Sequence, residues 1–494
     1  MAALIALVVY GIVLVPAVVV VWRRPILALY AFIIGLAVYN LAVALLYGAG
    51  VHGGAIEAIQ TWKEVLLATA ALRVARDAWV ARRLPFTPHT VDWLALAFAA
   101  LVLLYAVVPQ GVLDGQSSSK GVLEGLRHDL TPVVAYFVGR SLPLTRRDLT
   151  GLGWVFAGTA TAVAAFGLID LYVTPIEWWR DSGAVGFFRH QGYDYHGPGG
   201  LPENFVFNSS AGVFRRLISL FLSPLGTAYL LGIALLAAAA GGPLRRKPAL
   251  LGGLCVLWTA ALLLTLSRST IAALAGALVV LAIALGRLWP VAAGAVCLGL
   301  LFALNAVFPH VAPHTHYFPA DIKYQQEQAR LHGGLPKNGG LLSTGEPSFR
   351  SHLHLLRQGV TTVAHHPQGY GLGNAGVTAV RFGAPLKAGE STYTELGVET
   401  GALGALAFVA WSVALLFGLG KATRRATDET RRWATATMTS SFALVLALAI
   451  QTDVLGVLWL AFGIWWLAGS LLEPDPGLRS HAVRPPTRRA FPNA

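Results

Sequence analysis

Charge is what this 494-residue sequence has least of: Asp, Glu, Lys and Arg make up 12% of it, while 55% is hydrophobic. Soluble domains carry roughly a quarter charged residues, so a soluble enzyme of several domains is excluded and a polytopic membrane protein is implied. Acid is scarcer than base, with 24 Asp and Glu against 37 Lys and Arg and a net charge of +13. In a soluble protein that excess would point to nucleic acid; in a membrane protein its distribution along the chain decides its meaning. Only two cysteines occur, Cys255 and Cys297, both inside apolar runs, which implies neither a disulfide framework nor a zinc site. No Gly-Lys-Ser/Thr run is present, so a nucleotide P-loop is unsupported. There is no internal repeat. The first apolar run lacks a basic region before it and is followed by Arg23 and Arg24, so it does not read as a cleavable signal peptide.

What is abundant is apolar run. At ~20 residues per crossing, the runs bounded by charge or Gly/Pro give spans near 2–22, 26–48, 56–75, 91–109, 129–143, 150–172, 218–240, 249–266, 269–286, 288–308, 391–419, 434–451 and 454–472. The fold class expected is all-α, a polytopic transmembrane helical bundle with a large, partly helical external loop. Lys63 and Glu64 fall inside the third span, where an adjacent Lys and Glu are interfacial or face a polar cavity. Arg23/Arg24, the cluster from Arg76 to Arg83, Arg146/Arg147, Arg245/Arg246/Lys247, Arg287, the run from Lys421 to Arg432 and the tail from Arg479 to Arg489 all fall on one side of these spans. Positive charge in short loops marks the cytoplasmic side, so the N-terminus is expected outside and the C-terminus in the cytoplasm.

The domain organisation expected is a transmembrane bundle over 1–308 with external loops near 110–128 and 173–217, a large external loop over 309–390, C-terminal spans over 391–472 and a disordered basic tail over 473–494. Arg127, Arg189, Arg215, Arg216, Arg268, Arg350, Arg357 and Arg381 are then left outside the cytosol. An anionic ligand at the outer leaflet is the economical reason for them.

Within the largest loop, Phe349, Leu353, Leu356, Val360 and Val363 recur at steps of four and three, the apolar stripe of an amphipathic helix. Arg350, His354 and Arg357 form a second stripe. Two readings of the cationic row stay open, a headgroup-contacting face and a substrate-binding face. Next, His365-His366-Pro367-Gln368-Gly369-Tyr370-Gly371-Leu372-Gly373 alternates three glycines after a helix-ending proline, an arrangement able to aim amides at phosphate oxygens. Glu390-Ser391-Thr392-Tyr393 then opens a span carrying Glu399 and the small residues Gly397, Gly401 and Gly404. The glycines read as close helix packing. Glu399, about 13 Å below Glu390 at 1.5 Å per residue, is expected to be paired or cavity-facing.

Two further cationic points lie earlier in the chain. Arg268, in Thr265-Leu266-Ser267-Arg268-Ser269, sits at a hairpin turn between two spans, and Arg215-Arg216 precede Ser223-Pro224 at the mouth of another. Guanidiniums at one level suit bidentate contact with phosphate. Eight of the 14 histidines lie between His310 and His366, but no zinc-type spacing joins them to a carboxylate; no metal is expected.

Taken together these segments resemble the O-antigen ligase and O-antigen polymerase superfamily of bacterial membrane glycosyltransferases. The family's Arg-x-x-Gly-x-Phe-x-Asn-Pro segment is similar to Arg216 through Pro224, with Ser219 for Gly and Ser223 for Asn. Its Ser-Arg turn matches Ser267-Arg268, and its His-Pro-x-Gly-x-Gly-x-Gly segment matches His366 to Gly373. The ligase signature of His-Asn followed by two spaced glycines matches in spacing as Glu390-Ser391, Gly401 and Gly404, with Glu390 where the family has its catalytic His. The likeness spans roughly residues 205–415.

The resemblance implies a GT-C-like bundle in the bacterial cytoplasmic membrane, active site outward. It implies inverting, metal- and cofactor-independent en bloc transfer of a glycan from an undecaprenyl (polyprenyl) diphosphate donor to a hydroxyl acceptor, in lipopolysaccharide or other cell-surface polysaccharide synthesis. Its partners would be the lipid-linked donor, a glycan or lipid-linked acceptor and membrane lipids, with no nucleic acid. Arg216 and Arg268 would hold the departing diphosphate and Glu390 would act as base, with His365 and His366 as rival bases. Arg215, Arg350, Arg357, Tyr393 and Glu399 complete the candidate substrate-binding set. A repeat polymerase using the same donor is the alternative within the class, separated from a ligase only by its acceptor. A flippase or transporter is the alternative from another class; it should carry paired halves and discontinuous helices near the midplane, and no half-to-half similarity is found.

Overall fold

The computed structural model of the protein describes residues 1–331, 342 and 347–472. The tail expected over 473–494 and the side chain of Phe349 lie outside the described residues. Helices dominate: α1 (Ala2–Arg23), α2 (Ile26–Gly48), α3 (Gly54–Gln60), α4 (Trp62–Ala81), α5 (Thr90–Val107), α6 (Ser119–Ser141), α7 (Arg146–Val173), α8 (Ile176–Asp181) and α9 (Ala184–His190) come first. A single hairpin follows, β1 (Val206–Ser209) with β2 (Gly212–Arg215). After it come α10 (Pro224–Ala240), α11 (Pro248–Leu264), α12 (Arg268–Leu285), α13 (Trp289–Val311), α14 (Pro319–Leu331), α15 (Pro347–His365), α16 (Gly376–Arg381), α17 (Thr392–Arg425), α18 (Glu429–Leu448) and α19 (Trp465–Leu472). Among the described residues, seven helices are long and apolar enough to cross a membrane, and 224–240, 248–264 and 460–472 are shorter apolar helices. The chain is an all-α polytopic helical protein.

Every expected span has helix over part of it, with differences: that over 391–419 is interrupted at Gly401, and that over 454–472 is an apolar helix only from 460. The third span is broken at Thr61 into α3 and α4. The segment expected as external loop near 110–128 is helical from Ser119, because Ser118 caps α6 by accepting the Gly121 amide. The span expected from 218 begins as a helix only at Pro224, where Ser223 accepts the Gly226 amide, a Ser-Pro start typical of a helix N-terminus.

Packing follows small residues. On α6, a Cβ at Gly139 would lie 2.0 Å from the Trp466 carbonyl oxygen, and one at Gly469 on α19 would lie 2.3 Å from that of Tyr136; the two backbones touch because both residues are glycine. Around this contact Phe98, Phe408, Trp411, Trp465 and Trp466 form the aromatic centre of the core. α17 runs along α5 and α18, and α12 along α13 and α18.

One buried ion pair joins α5 to α6. Asp92 accepts from Arg140 Nε at 2.8 Å, from Arg140 Nη2 at 3.0 Å and from the Tyr136 hydroxyl at 2.6 Å, while Arg140 also donates to the Thr87 carbonyl at 2.8 Å. Both partners are buried, so removing one strands the other charge. Asp92→Ala is expected to destabilise the protein by about 3–5 kcal/mol, read as a lowered thermal unfolding midpoint in detergent.

Candidate functional site

The loop-bearing end of the bundle holds three groups of polar side chains. The first is built on the hairpin. The Arg215 amide donates to the Pro313 carbonyl, the Arg216 amide to the Phe205 carbonyl and the Leu217 amide to the Leu264 carbonyl, which stitches this strand end to the α11–α12 turn. Arg216 then reaches that turn with its side chain: Nε donates to the Thr265 carbonyl at 2.8 Å and Nη2 to the Ser267 hydroxyl at 3.1 Å. Arg268 is the next residue, and its guanidinium lies over the Phe207 ring at 5.7 Å. Arg216 and Arg268 therefore stand at one turn. Ser219, which follows, has φ +53° and donates its hydroxyl to the Val163 carbonyl. A left-handed backbone is one that glycine adopts without strain.

The second group surrounds a break in α17. Gly401 has φ +71° and ψ 174°, outside the helical region. The loop 367–373 fills the gap: the Tyr370 amide donates to the Val398 carbonyl at 2.6 Å, the Gly371 amide to the Glu399 carbonyl at 3.1 Å, and the Ala402 amide to the Pro367 carbonyl at 2.8 Å. Gly369, Gly371 and Gly373 all have positive φ. A Cβ at Gly369 would lie 2.4 Å from the Gly401 nitrogen. The expectation that these glycines aim amides at a phosphate is therefore corrected. The Gly369, Tyr370, Gly371 and Gly373 amides are taken by His366 O, Val398 O, Glu399 O and Glu399 Oε1, and none of the four is left for an anion.

The third group is a small polar cavity beneath that loop. Its walls include His128 and Asp129 of α6, Glu395 and Glu399 of α17, Thr378 of α16 and Asp453 of the α18–α19 turn. His128 Nδ1 meets Asp129 Oδ1 at 2.8 Å and Nε2 meets Asp453 Oδ2 at 3.0 Å. Asp453 Oδ1 also accepts the Leu455 and Gly456 amides. Burial pushes the Asp453 carboxyl up; His128 and those amides overcome it and hold it below the ordinary range. Among the described residues, no three His, Cys, Asp or Glu side chains are grouped so as to hold a metal ion.

With this geometry in place, residues 253–409 match the family model described as O-antigen ligase, a stretch that includes the Ser267-Arg268 turn, α15, the Gly-rich loop and the broken part of α17. Over this third of the chain the protein is similar to the O-antigen ligase family. The match supports the O-antigen ligase and polymerase superfamily, whose members are bacterial integral membrane proteins with a glycosyltransferase-like ligase or polymerase activity on lipid-linked glycans. No curated protein matches the chain.

The remaining candidates fall inside or beside the matched stretch in different ways. Glu390 is 44% exposed, has φ +73° and its carboxylate meets Nδ1 of His352 on α15, a partner that the sequence reading did not single out. α15 lies against the start of α17 at two glycines, Gly359 beside Thr394 and Gly397 beside Val363. Arg350 and Arg357 are exposed on it, and so are Leu353 and Val360 of its apolar stripe. His366 stacks on Tyr370 at 3.9 Å and contacts the Leu113 carbonyl and the Gln368 amide, whereas His365 is exposed. Tyr393 donates to the Leu446 carbonyl at 2.9 Å. Glu399 is cavity-facing, as expected, and accepts the Gly373 amide at 2.9 Å.

Arg215, expected as a reserve cation, is instead buried: it pairs with Asp170 at 3.5 Å and donates to the Thr174 carbonyl. Arg127 and Arg381 also have carboxylate partners. Lys63 pairs with Glu64 at 3.3 Å, Glu64 with Arg127 at 3.2 Å, Arg127 with Glu124, and Glu124 with Arg381 at 3.3 Å. Lys63 also donates to the Gln60 carbonyl where α3 meets α4, so the Lys-Glu pair of the third span sits in a charge chain. His128, Asp129, Glu395 and Asp453 were not among the sequence candidates. The usable signal was ionisable residues within or between apolar spans.

Gly373→Ala is expected to cost more than about 1 kcal/mol, since its φ is +78° and a Cβ would lie 2.6 Å from the Gly121 carbonyl oxygen. Gly389→Ala, whose Cβ would meet only Leu386 at 3.7 Å, is expected to leave the unfolding midpoint unchanged.

Proposed function

We propose that the protein transfers a glycan en bloc from a polyprenyl diphosphate donor to a hydroxyl acceptor at the outer face of the bacterial cytoplasmic membrane, as an O-antigen ligase in cell-surface polysaccharide synthesis. The observation that carries this reading is the placement of Arg216 on the Ser267-Arg268 turn. A leaving diphosphate gathers negative charge as its bond to the sugar breaks. Fixed guanidiniums stabilise that charge without reorganising, and Arg216 is fixed by a backbone carbonyl and a hydroxyl. Arg357, exposed on α15, is a further cation for the donor. Arg215 has a structural role at Asp170.

The acceptor hydroxyl needs a base. Glu390 stands beside His352 of α15. Its partner His352 supplies the imidazole that the ligase signature has at the Glu390 position. His352 accepts the hydroxyl proton, and Glu390 orients the ring and stabilises the imidazolium, the division of labour of a carboxylate–histidine pair. The new glycosidic C–O bond forms as the anomeric C–O bond to the diphosphate breaks, with inversion, and polyprenyl diphosphate leaves. The lipid tail lies between helices. A transporter would leave the broken turn of α17 open to its cargo; here the Gly-rich loop takes those backbone groups.

Purified protein given lipid-diphosphate oligosaccharide and acceptor is expected to release polyprenyl diphosphate. Arg268→Ala and Arg216→Ala are expected to slow release by about 10²–10³-fold, and Glu390→Gln and His352→Asn by about 10²–10⁴-fold. Release at the wild-type rate by both Arg268→Ala and Glu390→Gln would refute the site. In a deletion strain, accumulated long lipid-linked chains support a ligase; accumulated single repeats would mean a polymerase.

A further inference from the structure

The cavity under the Gly-rich loop has a composition that the transfer chemistry does not use. Four carboxylates and one imidazole face it, from α6 (His128, Asp129), α17 (Glu395, Glu399) and the α18–α19 turn (Asp453), and Thr378 is the polar side chain it takes from α16. No Lys or Arg is in its lining; the nearby Glu124–Arg381 pair is engaged in the charge chain. Its volume is ≈ 10 Å³, about the room one water molecule needs. Both ring nitrogens of His128 face carboxylate oxygens, and since carboxylates accept, the ring donates from both sides as an imidazolium. That single positive charge faces four carboxylates.

Two buried carboxylate oxygens of the cavity's residues have no hydrogen-bond partner: Asp129 Oδ2, on a residue with no exposed surface, and Glu395 Oε1, on a residue 7% exposed. Both residues line the cavity. Buried oxygens of this kind are costly unless something donates to them, and neighbouring buried carboxylates do not all stay ionised.

We propose that this cavity is a proton-binding site, holding one water and at least one proton shared among Asp129, Glu395 and Glu399 at neutral pH. A protonated carboxyl becomes a donor as well as an acceptor, and a water among the three satisfies both orphaned oxygens. The bound proton also offsets the charge that His128 leaves uncompensated. Because Glu399 accepts the Gly373 amide, the site sits at the anchor of the Gly-rich loop.

Infrared spectroscopy of the full-length protein in lipid nanodiscs tests this. A protonated-carboxyl carbonyl band is expected at neutral pH, shifted in deuterium oxide and diminished in both Glu395→Gln and Asp129→Asn. The wild-type spectrum alone is decisive if a variant does not fold: no such band at neutral pH overturns the proposal. A band of unchanged intensity in both folded variants also overturns it. So does a band that disappears when sodium replaces choline at fixed pH and ionic strength, which would make the occupant a metal cation.

Discussion

Three backbone hydrogen bonds, from Tyr370 and Gly371 to the carbonyls of Val398 and Glu399 and from Ala402 to the carbonyl of Pro367, hold the Gly-rich loop in the break of α17. In an apolar medium each unsatisfied backbone group costs several kcal/mol. A helix interrupted at Gly401 must therefore be repaired by another segment, and the loop is that segment. Alternate glycines are needed because the loop runs backbone to backbone against the helix, with no room for a Cβ at Gly369. The consequence reaches outward: once 367–373 is fixed, α15 is fixed before it, and the Glu390 turn is fixed after it by the Gly376 amide donating to the Ala388 carbonyl.

The two groups proposed to act in catalysis are positioned by separate parts of the fold. Arg216 and Arg268 depend on the hairpin and the α11–α12 turn, while Glu390 and His352 depend on α15 and α17. A hydrogen-bonded path runs between these supports: the Thr392 hydroxyl donates to the Thr452 carbonyl, and the Thr452 hydroxyl meets that of Tyr229 on α10. α10 begins at the Ser223 cap that closes the Arg216 segment. Arginine serves two ends at this face. Arg215 and Arg127 hold the scaffold through carboxylates, and Arg216 reaches the Ser267-Arg268 turn through a backbone carbonyl and a hydroxyl.

Much of the bundle was legible in the sequence because apolar runs must be helices in lipid; each of the thirteen expected spans found helix over part of it, and among the described residues seven helices are long and apolar enough to cross. Boundaries failed where local chemistry overrode hydropathy, as with the Ser118 cap that starts α6 ten residues before its apolar run. The Arg216 and Ser267-Arg268 segments were legible as motifs, and the structure puts them together. The Gly-rich loop was legible as unusual but not for its role, since nothing in 367–373 announces a partner near 401 without the helix break. His352 was passed over because its neighbours Arg350, His354 and Arg357 formed the more regular stripe. The cavity was missed because its five ionisable groups come from three separated stretches of chain, each with an individually ordinary pattern.

The charge chain from Lys63 through Glu64, Arg127 and Glu124 to Arg381 crosses from the early part of the sequence, which the family model does not cover, into the part that it does. Each link is of opposite sign to its neighbour, so a single exchange leaves the adjoining charge without that partner. A hybrid made by grafting residues 253–409 of a relative onto this N-terminal half would carry its own residue at 381 into contact with a foreign Glu124. Compatibility between the halves is thus tested at this alternating row of charges as well as at neutral contacts such as Asn374 with Gln110.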